Sequence, residues 1–275
     1  MSGKPTTLLP ELCSSLKKLS LGHLIDPLPE RLVLAEKQQL DFQELLLLLL
    51  NDEISRRESS SAARRSYVAG LDPEMVLEKW DPRAKVTYDK RLFAELCSLR
   101  FISAKRNIVV LGPVGVGKTF LASALGHIAC RHRYQVLFSR ADDVLRKLRQ
   151  SRLDNSRDAV MTELSTIDLL IVDDFALESM NRDESRDVYQ LFVERTGRAS
   201  TIITSNRDTA EWLATFDDVL LAQSAVDRLS NSAYDLIIEG ESYRPNLKPK
   251  VSKDDPLPPP PVSKPKMPIR RKRRR

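Results

Sequence analysis

The sequence predicts an α/β fold, a parallel sheet covered by helices, preceded by a small all-helical domain. Three observations carry that reading. Residues 107–119, NIVVLGPVGVGKT, run from a short apolar strand into a glycine-rich loop and on into a helix. Downstream, apolar strand-like runs alternate with helical patterns, which requires parallel strands joined by helical crossovers. Upstream of residue 70 the apolar residues recur at helical spacing only.

Taken in order, Leu9, Leu12, Leu16 and Leu19 mark an amphipathic helix from Thr6 to about Leu21, punctuated by Pro27 and Pro29. A second helix is expected from about residue 30 to 39. A third starts at Asp41, where Asp41 and Glu44 have the spacing of a capping box, and extends to about Tyr67. Its six consecutive leucines, residues 45–50, cover more than one face, so the helix is expected to be enclosed by its neighbours or by another subunit. Its distal half carries Arg56, Arg57, Arg64 and Arg65, either a solvated charged face or a nucleic-acid contact. The predicted organisation is a helical domain over 1–70, an irregular connector over 71–90 with Pro73, Trp80 and Pro82, a core over 91–243, and a tail over 244–275.

Within the core the strands are expected at 108–111, 135–139, 168–172, 201–204 and near 235–238. Helices are expected at 118 to about 131, about 142–150, about 184–195, and through 229. The tail reads as an extended Pro-rich spacer ending in a disordered basic run, Arg270-Arg-Lys-Arg-Arg-Arg275.

Composition narrows the function classes. Of 275 residues, 41% are hydrophobic and 30% charged, as in a soluble globular protein. Cys13, Cys97 and Cys130 lack any paired spacing, and His23, His127 and His132 form no metal-spaced cluster with them, which argues against a disulfide framework or a zinc site. The opening residues lack a secretory pattern and the longest apolar run is too short to span a bilayer, so a cytoplasmic protein with no membrane partner is expected. The net charge of +6 resides in the tail: twelve Lys or Arg against two Asp after Tyr243 leave 32 basic and 36 acidic residues, net −4, for the rest.

The chemistry concentrates on the glycine-rich loop. Gly112, Pro113, Val114, Gly115, Val116, Gly117, Lys118, Thr119 and Phe120 form the expected nucleotide-binding set. Side chains at Gly115 and Gly117 would block approach of backbone N–H groups to phosphate oxygens, and the following helix N-terminus adds a favourable dipole. Lys118 is placed to reach the β- and γ-phosphates, and Thr119 to ligate Mg²⁺. Fifty-five residues beyond Lys118, an apolar strand ends in Asp173 and Asp174. Asp173 suits the metal shell and Asp174 the attacking water, whereas a merely structural acid pair would be costly to bury. Asn206, ending the strand STIITSN, can bridge γ-phosphate and water, or serve the turn before Arg207. Arg228 is suited to stabilising charge on a transferring phosphoryl group, often from a neighbouring subunit; the plainer alternative is an ion pair with an acid such as Asp227.

The succession GPVGVGKT, LLIVDDFAL, STIITSNRDTAEW, AVDRL and GESYR resembles the IstB family, ATP-binding helpers of insertion-sequence transposition. It is more distantly similar to the DnaC helicase loaders; both are AAA+ ATPases. The resemblance extends to about Arg244, the leucine-rich helix included. It implies a P-loop AAA+ core, with Lys118, Thr119, Asp173, Asp174 and Asn206 as Walker and sensor residues and Arg228 as an arginine finger. ATP and Mg²⁺ are the implied cofactors, and duplex DNA, a cognate transposase and further copies of the chain the implied partners. Three features depart from the usual pattern: Asp174 where most AAA+ proteins have Glu, Ala176 where these families usually have Gly, and the Pro-rich basic tail. The function expected is an ATP-hydrolysing, DNA-binding transposase helper. The alternatives are a helicase loader or a non-hydrolysing ATP-bound scaffold.

Overall fold

The computed structural model describes residues 8–247. Of these, residues 8–243 belong to one compact unit. The expected spacer and basic terminus, and the start of the first helix at Thr6 and Thr7, lie outside the described residues.

The N-terminal region is helical, as expected. Helices α1 (Pro10–Lys18) and α2 (Leu28–Gln38) precede α3 (Phe42–Val68). The capping box is formed at the start of α3: Glu44 N donates to Asp41 Oδ1 at 2.8 Å and Asp41 N donates to Glu44 Oε2 at 2.9 Å. Reciprocal bonding of this kind satisfies two N–H groups that the first turn leaves without partners. Enclosure of the leucine run by neighbouring elements is not found. Leu46, Leu47 and Leu50 are 57%, 60% and 41% exposed, and Phe42 is 92% exposed. The physical reason is that α3 packs through its other end. There, Arg65 donates to the Cys130 carbonyl at 2.7 Å, and the Ala69 carbonyl just beyond the helix accepts from Phe138 N at 2.7 Å. The distal arginines are largely engaged as well, since Arg56 and Arg57 both bond the buried carboxylate of Glu53, and Arg64 is left without an ion pair among the described residues. These two guanidinium groups hold the Glu53 carboxyl down to about 2.

The connector is irregular apart from one 3₁₀ turn, Leu77–Lys79, and the two-residue strand β1 (Val86–Thr87). It is nevertheless packed on the core, with Leu71 buried and Leu77, Trp80 and Val86 against the same apolar cluster. Short helices α4 (Lys90–Cys97) and α5 (Arg100–Ser103) lead into the sheet.

The core alternates as predicted. Strand β2 (Asn107–Leu111) is followed by α6 (Lys118–Arg131), β3 (Val136–Arg140), α7 (Ala141–Leu153), α8 (Arg157–Thr166), β4 (Leu169–Asp173), α9 (Arg182–Arg195) and β5 (Ser200–Ser205). Next come α10 (Thr209–Trp212), α11 (Val219–Ser230), β6 (Ala233–Ile237) and the short β7 (Glu239–Gly240). Five strands are parallel, in the order β3-β4-β5-β2-β6. The three inner strands β4, β5 and β2 bury both faces, which is why each reads as a continuous apolar run, whereas the edge strands β3 and β6 are only partly covered. Ile108, Val110, Ile171 and Ile202 join α6 on one side, whereas Val109, Leu170, Val172 and Ile203 join the α7, α8, α9 and α11 side. The expected α/β class is thus found.

Helix α8 was not anticipated, because its apolar residues are few and it takes its place through packing on α7 and α9. Arg152 and Arg157 both reach the buried carboxylate of Asp187 on α9, at 2.7 and 2.6 Å, and so tie these helices together. Arg195, 2% exposed, donates to the Leu164 carbonyl at 2.6 Å and to Thr201 Oγ1 at 2.9 Å. Burial lowers its guanidinium to about 10.

Candidate nucleotide and metal site

In a parallel sheet of this kind ligands bind beyond the carboxyl ends of the strands. Here β5 lies between β2 and β4, so the loop after β2, the end of β4 and the residue after β5 converge at one edge. The loop 112–117 turns sharply: Gly112, Gly115 and Gly117 have φ of 153°, 85° and 101°. At Gly112 there is also no room, since a Cβ would lie 2.1 Å from the Ile238 carbonyl oxygen. Gly112→Ala is therefore expected to lower stability by about 2–4 kcal/mol, combining backbone strain with overpacking, and a thermal melt checks this.

Lys118, 5% exposed, opens α6 and folds back under the loop. Its Nζ donates to the carbonyls of Gly112 and Pro113, at 2.8 and 2.7 Å, and to Asn206 Oδ1 at 2.5 Å. Two residues 88 positions apart are thereby joined. Thr119 Oγ1 donates towards both carboxylate oxygens of Asp173, at 2.9 and 3.1 Å, and Thr204 Oγ1 bonds Asp173 Oδ1 at 2.5 Å. Burial pushes the Asp173 carboxyl up, and the two hydroxyl bonds oppose that rise.

Asp174 follows in the left-handed region, at φ 56°, with its N–H donated to Thr204 Oγ1 at 3.0 Å. This conformation points it away from the run of β4. Its carboxylate is 30% exposed and faces Arg140 at the end of β3, 3.4 Å away. A backbone that most residues avoid, at a group expected to do chemistry, is where strain tends to be stored.

Five of the predicted residues are thus brought together: Lys118 with Asn206, Thr119 with Asp173, and Asp174 beside them. Phe120 faces the other way, its ring edge-on to Trp80 at 5.3 Å. Val116 is buried and Val114 is 53% exposed. Arg228 is not joined to this cluster. It lies in the last turn of α11, exposed, and makes no side-chain bond among the described residues; the Asp227 carboxylate accepts instead from Asn231 at 2.7 Å.

A family model described as "IstB-like ATP binding protein" matches residues 14–251. The chain belongs to the IstB-like family. It is 34% identical over 234 residues to the ATP-binding protein of insertion sequence IS21 from Pseudomonas aeruginosa, covering 85% of this chain and 88% of that one. It is also 34% identical over 242 residues to an insertion-sequence ATP-binding protein of Mycobacterium tuberculosis, covering 87% and 96%. Among solved structures the fold is similar to that of DnaI, with a TM-score of 0.52, 20% identity and coverage of 61% of this chain and 94% of that one. It is likewise similar to AMPPCP-bound DnaA from Aquifex aeolicus, with a TM-score of 0.50, 24% identity and coverage of 62% and 51%.

Two features of this IstB-like chain gain a physical explanation from the site. Ala176, noted above as a departure from the resembled pattern, has φ 61°, a conformation that glycine adopts without strain. Asp173 and Thr119 supply hard oxygen donors of the kind Mg²⁺ takes alongside phosphate oxygens and water. The donor set therefore fits that ion. Sequence reasoning missed Arg140 and Thr204. Thr204 left a weak signal, a polar residue inside a buried strand; Arg140 left none, because its pairing depends on the β3–β4 register that sets Arg140 against Asp173.

Proposed function

We propose that this chain is the ATP-dependent, DNA-binding helper of a transposase. Copies loaded with ATP and Mg²⁺ assemble on duplex DNA, and hydrolysis releases the assembly. The single observation that supports this reading best is the convergence of Lys118 with Asn206 and of Thr119 with Asp173 at the ends of β2, β4 and β5. The names of the relatives, each tied to an insertion sequence, favour transposition over helicase loading.

In this scheme the backbone N–H groups of residues 114–119 and the Lys118 ammonium receive the phosphates. Thr119 and Asp173 would hold Mg²⁺, which would supply charge neutralisation at the phosphate oxygens. Asp174 accepts the proton of the attacking water, and Asn206, already against Lys118, orients the terminal phosphate. The helical region 1–70 and the core 91–243, joined by 71–90, would divide partner contact from ATP chemistry. Among the described residues, no helix is long and apolar enough to cross a membrane. The proposed setting is the cytoplasm.

DNA contact in this proposal is mainly to phosphates, so affinity falls with salt. Sizing the full chain on duplex DNA with and without ATP, in parallel with phosphate release, tests the scheme. Assembly indifferent to ATP would sink it.

Arg228 enters as an arginine finger acting in the adjacent subunit's site. Its exposure and its distance in topology from the cluster of its own chain motivate this. A mixture of Arg228→Ala and Lys118→Ala proteins, each inactive alone, is expected to recover measurable hydrolysis. Failure to recover despite co-assembly would place Arg228 outside catalysis.

A further inference from the structure

The phosphate-binding loop is clasped from outside by two chain segments that play no part in the reaction scheme above. Strand β7 pairs antiparallel with β1, Val86 opposite Gly240, and Glu241 N then bonds the Lys85 carbonyl at 3.1 Å. From there the chain crosses the loop. Ser242 lies so close to Gly115 that a Cβ there would be 2.1 Å from its hydroxyl, and Tyr243 N donates to the Gly115 carbonyl at 2.8 Å. The Tyr243 phenol donates in turn to Asp81 Oδ2 at 2.9 Å. Asp81 is itself fixed by accepting from Arg83 N at 2.9 Å, and its neighbour Trp80 covers Gly117, where a Cβ would meet the indole at 2.9 Å.

We infer that the Tyr243–Asp81 bond is a latch that presets the phosphate-binding loop, making both positioning residues for nucleotide. The inference rests on the nucleotide reading of the site. The geometry of the peptide bond supplies the reason. In a planar trans peptide the C=O of one residue and the N–H of the next point in opposite directions. Tethering the Gly115 carbonyl on the outside therefore turns the Val116 N–H to the inside, where phosphate oxygens are received. A loop with three glycines at positive φ has many other conformations open to it, and each must be given up on binding. The latch removes that cost beforehand. Because β1 and β7 have two residues each, their own ladder is too short to hold the clasp, and the side-chain bond closes it.

Tyr243→Phe and Asp81→Ala in the full chain are expected to weaken ATP binding by about three- to tenfold, with the rise in KM exceeding any fall in kcat. The double variant is expected to be no worse than either single one, since both remove the same bond. Asp81→Asn, which keeps an acceptor oxygen, should restore most of the affinity. Amide hydrogen exchange of residues 114–117 without nucleotide is expected to quicken in Tyr243→Phe, a change that a general loss of stability would spread over the whole sheet. Wild-type affinity together with wild-type loop exchange in Tyr243→Phe overturns the latch. A wild-type chain that does not bind ATP overturns the nucleotide reading itself, a result separate from any difference between variants.

Discussion

Lys118→Ala is expected to abolish ATP binding, with affinity falling at least about 100-fold. In the proposed scheme the Lys118 ammonium receives the phosphates, and each charge-assisted bond to it contributes about 1.5–3 kcal/mol. Two such bonds to phosphate oxygens suffice for the stated loss, since about 1.4 kcal/mol is a factor of ten. The effect on folding should be smaller. Lys118 bonds the Gly112 and Pro113 carbonyls and Asn206 Oδ1, and its loss removes three bonds at the loop while leaving both apolar clusters of the core intact. A melt within a few degrees of wild type, combined with titration of the nucleotide, separates the two. Wild-type affinity in a folded Lys118→Ala protein would remove the loop from nucleotide binding altogether.

Asp174→Asn is expected to leave ATP affinity within a few-fold of wild type and to slow hydrolysis about 10²- to 10⁴-fold, the range set by loss of a positioned proton acceptor. The substitution is well matched to its place. Asn tolerates the left-handed backbone that Asp174 adopts at φ 56°, so the turn and its N–H bond to Thr204 should survive. What is lost is the negative charge that faces Arg140 and that, in the proposed scheme, takes the proton. Long-lived ATP-bound assemblies on DNA should accumulate as a result. Wild-type phosphate release in this variant would transfer the catalytic role to another group. Asp173 is the group that geometry makes least available for that role, because Thr119 and Thr204 already occupy its oxygens.

Much of this was legible in the chain because the signals are local. A glycine-rich loop between a strand and a helix is a contiguous pattern, and its mechanics follow from backbone sterics. The α3 capping box is three residues of spacing, and it is formed as read. The buried strands betray themselves as apolar runs because both of their faces are covered. Even the carboxylates at the end of β4 stand out, since acids seldom close a fully buried strand without a cation to meet.

The leucine run of α3 shows what local patterning leaves open. Six leucines in a row cover more than one face and predict enclosure by neighbours or by another subunit, yet which faces are covered within the chain depends on where neighbouring helices lie, and α1 and α2 leave Leu46, Leu47 and Leu50 open. A similar limit hid the connector's role, because Trp80 and Asp81 look like turn residues until Gly117 and Tyr243 are set against them.

By itself, then, the sequence determined the class of fold, the succession of its five core strands, and the residues that the proposed function assigns to phosphate and metal, all properties of short stretches whose periodicity and spacing survive without a partner. Tertiary structure alone decided which of these groups meet. Lys118 reaches Asn206 because β5 is inserted between β2 and β4, Arg140 faces Asp174 because β3 is in register with β4, and Tyr243 closes on the loop because β7 turns back to β1. Contacts across 34 to 162 residues of chain are fixed by strand order and register, and no local preference in the sequence encodes either one.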